Sequence, residues 1–297
     1  MKKITLSLLT VVLVVLLGNL SFGQITLSRS FYFPQIADGI SGGDAIRTQV
    51  IIINPNNSTA QLRVAVFDND GSPMSLTFTD RQTGNSITDS RFNYTLPAWQ
   101  MVILETPGTQ SGYRTGWLWV VSNDVPISGT SAFSFYNRDG LLRTTVGVGA
   151  STSLVSLASP VVYNRNQGLS TGLALVNITN RSDDLDVSLV DALTGQTVER
   201  KTLRMTAGTH IARFVDELFD TIRGSNRFEG TMYFTTHNSE ISAVTLFFNG
   251  DKWSSFPVVQ LQGGTLKQSP AGSPAPYELY QESMPFDNDL RTLKGRE

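Results

Sequence analysis

Apolar residues recur at every second position in short runs along this chain. Leu185, Val187 and Leu189 alternate with Asp186, Ser188 and Val190, the period of two that marks a strand with one buried face. In 231–235 the same period sets Met232 and Phe234 against Thr231, Tyr233 and Thr235. Runs of Val, Ile, Leu, Thr and aromatics are separated by clusters of Asn, Gly, Asp, Ser and Pro roughly every ten residues, which predicts an all-β sandwich class. One stretch departs from this. Phe214, Leu218 and Ile222 recur at spacing four with Phe219 beside them, so 213–222 reads as a short helix. Beyond Gly263 the periodicity stops and Pro270, Pro274, Pro276 and Pro285 accumulate, so the last residues read as a flexible tail.

The runs repeat in order, and the repeat organises everything else. Thr48-Gln49-Val50-Ile51-Ile52-Ile53-Asn54 followed by Leu62 to Asp68 matches Thr171-Gly172-Leu173-Ala174-Leu175-Val176-Asn177 followed by Leu185 to Asp191. Tyr94-Thr95-Leu96-Pro97-Ala98 parallels Lys201-Thr202-Leu203 with Thr206-Ala207-Gly208, and Gly116-Trp117-Leu118-Trp119 parallels Gly230-Thr231-Met232-Tyr233. Ile127-Ser128 and Ile241-Ser242 follow. The expectation is two tandem Ig-like β-sandwiches from an internal duplication, with about seven strands each. Residues 24–152 form the first and 153–262 the second, with a tail over 263–297.

Residues 1–23 read as a secretory signal peptide. Lys2 and Lys3 precede the apolar run Leu6 to Leu17, and Ser21 and Gly23 sit before Gln24 as small residues suited to cleavage. The run is shorter than the ~20 residues of a membrane span. The expected location is therefore outside the cell or on its surface, and the Met-Lys-Lys start has a bacterial look. The chain has no cysteine, which removes disulfides, thiolate catalysis and zinc-thiolate sites. The formal charge of −2, with no strongly basic stretch, leaves nucleic acid without an electrostatic footprint.

Candidate chemistry is sparse. Asp68-Asn69-Asp70-Gly71 offers calcium-type oxygens, but Ser72-Pro73-Met74 supplies no further acid, and the matching Asp191-Ala192-Leu193-Thr194-Gly195 keeps only one Asp and the Gly. A hairpin turn explains both. Asn57, Asn93, Asn177 and Asn180 satisfy the glycan acceptor rule, which Asn-rich turns also satisfy by accident. The two histidines, His210 and His237, have no nucleophile or zinc partner at motif spacing, and the acids Glu105, Asp183, Asp184, Asp216 and Glu217 cannot be brought across one cleft by sequence alone. The reading is a non-enzyme needing no cofactor or metal.

One surface stands out. The register of 231–235, carried to 117–121, turns Leu118 and Val120 inward and Trp117 and Trp119 outward, with Tyr233 in the matching place of the second repeat. Such a ledge suits a sugar ring, a domain or subunit contact, or local packing. Ile25 and Leu27 alternate with polar residues in 24–32 and make that segment a candidate donor strand for a neighbour's sheet edge.

The repeat pattern, with Phe33-Pro34-Gln35-Ile36-Ala37-Asp38-Gly39 opening the first copy, Val176-Asn177 ending a strand, and Phe214-Val215-Asp216-Glu217-Leu218-Phe219 in the second, resembles a recurrent β-sandwich repeat of secreted bacterial proteins, particularly large acidobacterial surface and exported proteins. It covers about 30–262, and it implies an extracellular module with no catalytic residues to carry over. The sequence thus points to a secreted structural or adhesive protein that can self-assemble by edge-strand addition, its partner being itself or a cell-surface protein. The alternative is a module that binds extracellular polysaccharide through the Trp ledge.

Overall fold

The protein, described from a computed structural model, is seen over residues 27–123, 125–261 and 292–294. The signal segment, Ile25 and most of the tail lie outside these residues. Ten strands form in the first half: β1 (Ser30–Ser41), β2 (Asp44–Ile53), β3 (Ala60–Asp68), β4 (Leu76–Asp80), β5 (Ser86–Asp89), β6 (Arg91–Leu96), β7 (Met101–Glu105), β8 (Gly112–Ser122), β9 (Ser128–Tyr136) and β10 (Leu142–Gly149). Nine follow in the second: β11 (Ser156–Asn164), β12 (Leu169–Asn177), β13 (Asp183–Asp191), β14 (Thr197–Met205), β15 (His210–Phe214), β16 (Arg227–Thr235), β17 (Ile241–Asn249), β18 (Lys252–Phe256) and β19 (Val259–Gln260).

In the first half the order β6-β3-β8-β1 makes one layer and β7-β2-β9-β10 the other, with the β4-β5 hairpin added beside β7. Between them lies a core that takes Phe33 and Ile36 from β1, Val50 and Ile52 from β2, and Leu118 and Val120 from β8. In the second half β14-β13-β16-β11 faces β15-β12-β17-β18 over a separate core that includes Leu157, Leu175, Val187, Met232 and Phe234. The all-β class and the sandwich layering are as expected.

Strand partners differ from the immunoglobulin arrangement, in which the first strand pairs with the second and the seventh with the sixth. Here β1 runs along β8 and meets β2 only near its end, at Gly39↔Ile46 and Ser41↔Asp44. A register shift between Phe33 and Ile36, around Pro34, bends β1, which stays paired with β8 on both sides of it. The place beside β2 is thereby left to β9.

The same local devices appear in both halves. Asn54 Nδ2 donates to the carbonyls of Ser58, Leu96 and Pro97, and Asn177 Nδ2 to those of Arg181, Met205 and Thr206. Thr48 Oγ1 bonds both backbone groups of Ala37, as Thr171 Oγ1 does those of Val162. Gly116 opposes Asp68, and Gly230 opposes Asp191. A Cβ at Gly116 would fall 2.0 Å from Phe67 O, and one at Gly230 2.1 Å from Val190 O. The Asn bonds pair Leu96 with Met205 rather than with Leu203, so the sequence match slips there by two. A slip of two keeps every side chain on its face, and so leaves no trace in the apolar pattern.

Two other expectations change. The predicted helix is two single turns, α1 (Val215–Leu218) and α2 (Asp220–Arg223). Arg213 and Phe214 stay in β15, paired with Leu173 and Gly172, and Phe219 breaks the helix at φ −119°, ψ 125° to enter the core. In the predicted tail, β20 (Thr292–Lys294) pairs in parallel with Asn93 to Thr95 of β6, where an edge strand offers unpaired backbone groups.

The halves pack together. The outer face of the β15-β12-β17-β18 layer lies on the first sandwich, joining Ala174, Val244 and Trp253 to Phe133, Val146 and Val148. Tyr32 and Ser151 exchange backbone hydrogen bonds of 2.8 Å each way, and so tie the linker down.

Candidate functional site

Trp117 and Trp119 do stand on the outer face of β8, turned away from the first core. That face is covered. Both are only 5% exposed, clustered with Tyr32, Ala65 and Phe67 of the first sandwich and Val176 of the second. Trp117 stacks on Phe67 with centroids 4.2 Å apart and donates its Nε1–H to Gly208 O at 2.9 Å. Trp119 Nε1 donates to Ser30 Oγ at 2.7 Å. A crevice of about 130 Å3 remains beside the indoles, below the ~300 Å3 at which small-molecule sites begin. Of the three readings of the ledge, the contact between halves is the one that the geometry fits, and an open sugar platform at these two residues is not. Two indoles on one face form an apolar patch large enough to be stabilised by docking.

The Asp68 turn does more than reverse the chain. Asp68 Oδ1 accepts from Asn69 N, and Asp70 Oδ1 from the N–H and hydroxyl of Ser72, while Gly71 takes φ 85°. These carboxylates are used as turn bonds, and among the described residues no three His, Cys, Asp or Glu gather as a metal set. Asn69 reaches the second sandwich: its carbonyl accepts from His210 N at 2.8 Å, and its Oδ1 lies 2.8 Å from His210 Nδ1. An acceptor at that place puts the imidazole proton on Nδ1. Gly71 lies against Gly208, so a Cβ on Gly71 would fall 2.9 Å from the Gly208 backbone. The turn is a latch between the halves. His210 is buried there, and burial pushes its pKa down to about 4, against a smaller upward pull from the Pro34 carbonyl and the Asp68 charge. Asn69 and His210 are 141 residues apart, and nothing in the sequence signals that they meet.

Tyr233 occupies the place in β16 that Trp119 holds in β8, and its face is open. Cross-strand pairing sets Tyr233, Ser188 and Arg200 in one row and Thr235, Asp186 and Thr202 in the next. They line a polar groove of about 450 Å3. His237 Nε2 lies 3.2 Å from Asp186 Oδ2 at its edge. Burial alone would raise the Asp183 pKa, but hydrogen bonds from the backbone of His237, Asn238 and Ser239 and from the Ser239 hydroxyl hold it below the usual range. Asp183 thus closes a loop rather than facing a substrate. Glu217 Oε2 accepts from Phe214 N, and Glu105 pairs with Arg81 at 3.4 Å.

A second cavity, about 360 Å3, opens between the halves. Phe214, Phe248 and Trp253 form an aromatic wall, with neighbouring ring centroids 5.0 and 5.1 Å apart. Gln35, Arg213 and Glu217 add polar groups, and Gln35 Oε1 is buried without a partner. The sequence reading passed over this site, because its walls come from both halves. Of the donor-strand pair, Ile25 lies outside the described residues and Leu27 is exposed. The adjoining Ser28 already exchanges 2.9 Å backbone bonds with Ile127 of its own chain.

No known family and no curated protein matches the sequence. Among solved structures the chain is similar to vicilin from Corylus avellana (hazelnut), with TM-score 0.22 and 8% identity over 76% of this chain and 87% of that one. It is also similar to vicilin from Capsicum annuum, with TM-score 0.22 and 7% identity over 80% and 77%. Likeness at this level carries no inference about function.

Proposed function

We propose that the chain is a secreted, non-enzymatic structural or adhesive protein of bacterial type, built from two copies of one sandwich unit. The matched Asn, Thr and Gly devices and the shared strand pairing support the duplication. The observation that carries the functional reading is the junction: the Trp117 and Trp119 face of the first unit is spent on locking it to the second, while the corresponding face of the second unit stays open and polar. A two-unit body with an open sheet face suits contact with a partner, and among the described residues the histidine rings meet Asn69, for His210, and Asp186, for His237. Edge-strand addition belongs to this reading, since the β6 edge takes a strand from the chain's own 292–294 segment. The test is retention of labelled protein on bacterial envelopes. Binding that Tyr233→Ala with Arg200→Ala abolishes, without chemical change to the envelope polymer, is expected, and turnover of any envelope polymer would sink the reading. Deleting 24–30 or 263–297 tests the strand-addition part, which fails if assembly is untouched by both.

The alternative, an extracellular polysaccharide-binding module, moves from the Trp117 and Trp119 ledge to the 360 Å3 cavity. Stacking rings beside amide, guanidinium and carboxylate groups suit a sugar ring. Trp253→Ala and Arg213→Ala should each weaken glycan binding at least tenfold, and unchanged affinity would remove the cavity from consideration.

A further inference from the structure

The first sandwich carries an apolar patch whose counterpart in the second sandwich is the docking surface of the internal junction. Ile53 pairs with Met101 across β2 and β7, as Val176 pairs with His210 across β12 and β15. Two residues before Met101 stands Trp99, and two before His210 stands Gly208. Both take left-handed backbone, with φ 61° at Trp99 and 70° at Gly208. In the second sandwich Val176, His210 and Gly208 are covered by the Trp117 face and the Asn69 turn. In the first, Trp99 is 71% exposed, Met101 43% and Ile53 37%. A tryptophan at positive φ is a strained choice where the matching position uses glycine, and strain of this kind is retained at functional positions.

The other half of the junction also has an open counterpart. The Asp68–Gly71 turn corresponds to the Asp191–Gly195 turn, which bonds its Asp to Leu193 N and Thr194 N and holds Gly195 at φ 66°. Where Asn69 reaches His210 in the internal junction, this turn presents Leu193, 97% exposed. The same sandwich carries the open groove of Tyr233 and Arg200. The polar contact inside, Asn69 with His210, is thus matched by exposed apolar residues, Leu193 in the second sandwich and Met101 with Trp99 in the first.

We infer that a second copy of this chain docks head to tail, the Trp99, Met101 and Ile53 patch of one copy seating on the Leu193 turn and Tyr233 face of the next in the geometry of the internal junction. The contact joins unlike surfaces, so it generates open filaments or closed rings rather than a two-fold dimer. It rests on the self-assembling form of the structural reading and supplies its interface.

The test is light scattering coupled to size exclusion, with electron microscopy, across a range of concentrations of the full chain and two variants. Trp99→Gly removes the indole and relieves the positive φ, and Leu193→Asp alters a side chain that touches nothing, so neither should unfold the protein. The expected result is that the unsubstituted chain elongates with concentration while each variant stays a monomer. A mixture of the two variants retains one intact end of each kind and should stop at a dimer. Assemblies that persist in both variants would overturn this interface while leaving a structural role standing, to be sought at the sheet edges. A chain that stays monomeric at every concentration would overturn the interface, and envelope binding by that monomer would then decide the adhesive reading separately.

Discussion

Protonating His210 should loosen the junction between the two sandwiches. The imidazole is 4% exposed and its Nδ1 lies 2.8 Å from Asn69 Oδ1. Burial depresses its pKa from 6.5 to about 4. The folded state therefore disfavours the charged form, so the unfolded chain binds the proton first. Stability attributable to this group is fully present above the unfolded pKa near 6.5, declines as pH falls from there, and is lost once pH passes the folded pKa near 4. Each pKa unit is worth about 1.4 kcal/mol, so the whole effect is roughly 3 kcal/mol. Urea unfolding at pH 7, 5.5 and 4.5, followed by Trp fluorescence, reads it, since Trp117 and Trp119 lie at the junction. His210→Gln removes the titration, and His237 and the carboxylates are common to both proteins, so the difference between the two curves isolates His210. A His210→Gln protein that loses as much stability between pH 7 and 4.5 as the parent would refute the reasoning.

Gly116→Ala and Gly230→Ala should be comparably damaging, by about 2 kcal/mol or more, because each Cβ collides with a fixed backbone carbonyl; thermal unfolding of the two variants checks this. Asn177→Ala removes the donor to the carbonyls of Arg181, Met205 and Thr206 and the acceptor of the buried Thr179 N–H and hydroxyl and should cost about 2–4 kcal/mol, with Asn54→Ala matching it in the first sandwich. Trp117→Ala removes the Phe67 stack and the Gly208 bond and should cost about 3–5 kcal/mol, read as a lowered urea midpoint. If Trp117→Ala instead left stability unchanged and weakened glycan binding, the indole would be a ligand platform after all.

Strand faces were legible wherever a period of two ran uninterrupted. Leu118 and Val120 against Trp117 and Trp119, and Met232 and Phe234 against Tyr233, sit as the alternation requires. What covers a face was not legible, because the indoles meet Gly208 and Val176, whose positions depend on how the halves pack. The helix failed for a related reason. Spacing four in Phe214, Leu218 and Ile222 registers apolar residues on one side, but Phe214 is held by β12 and packs edge-on against Phe248, and Phe219 is drawn into the core in an extended conformation. That β1 runs along β8 rather than along β2 leaves no mark in the pattern, since a strand with one buried face reads the same beside either neighbour. Nothing in the apolar pattern marks Trp99, whose left-handed backbone, at the place that Gly208 holds in the second sandwich, is seen only in the structure.

The contrast between the polar latch inside the molecule and the exposed apolar residues of its two sandwiches follows from connectivity. The internal junction joins segments of one chain through a linker that is pinned at Ser151 to Tyr32 and at Leu154 to Ile241. Tethering of that kind supplies effective concentrations on the order of millimolar or higher, so a few hydrogen bonds around His210 and a shared indole face suffice to hold it. A junction between separate copies has no tether and loses translational and rotational freedom on forming. It therefore needs more apolar burial than its internal model, and Leu193, Trp99 and Met101 stand where that burial would be added. The same reasoning orders the pH response: acid should weaken the internal latch through His210, whereas the proposed contact between copies places Met101 at that position and has no titrating group there to lose.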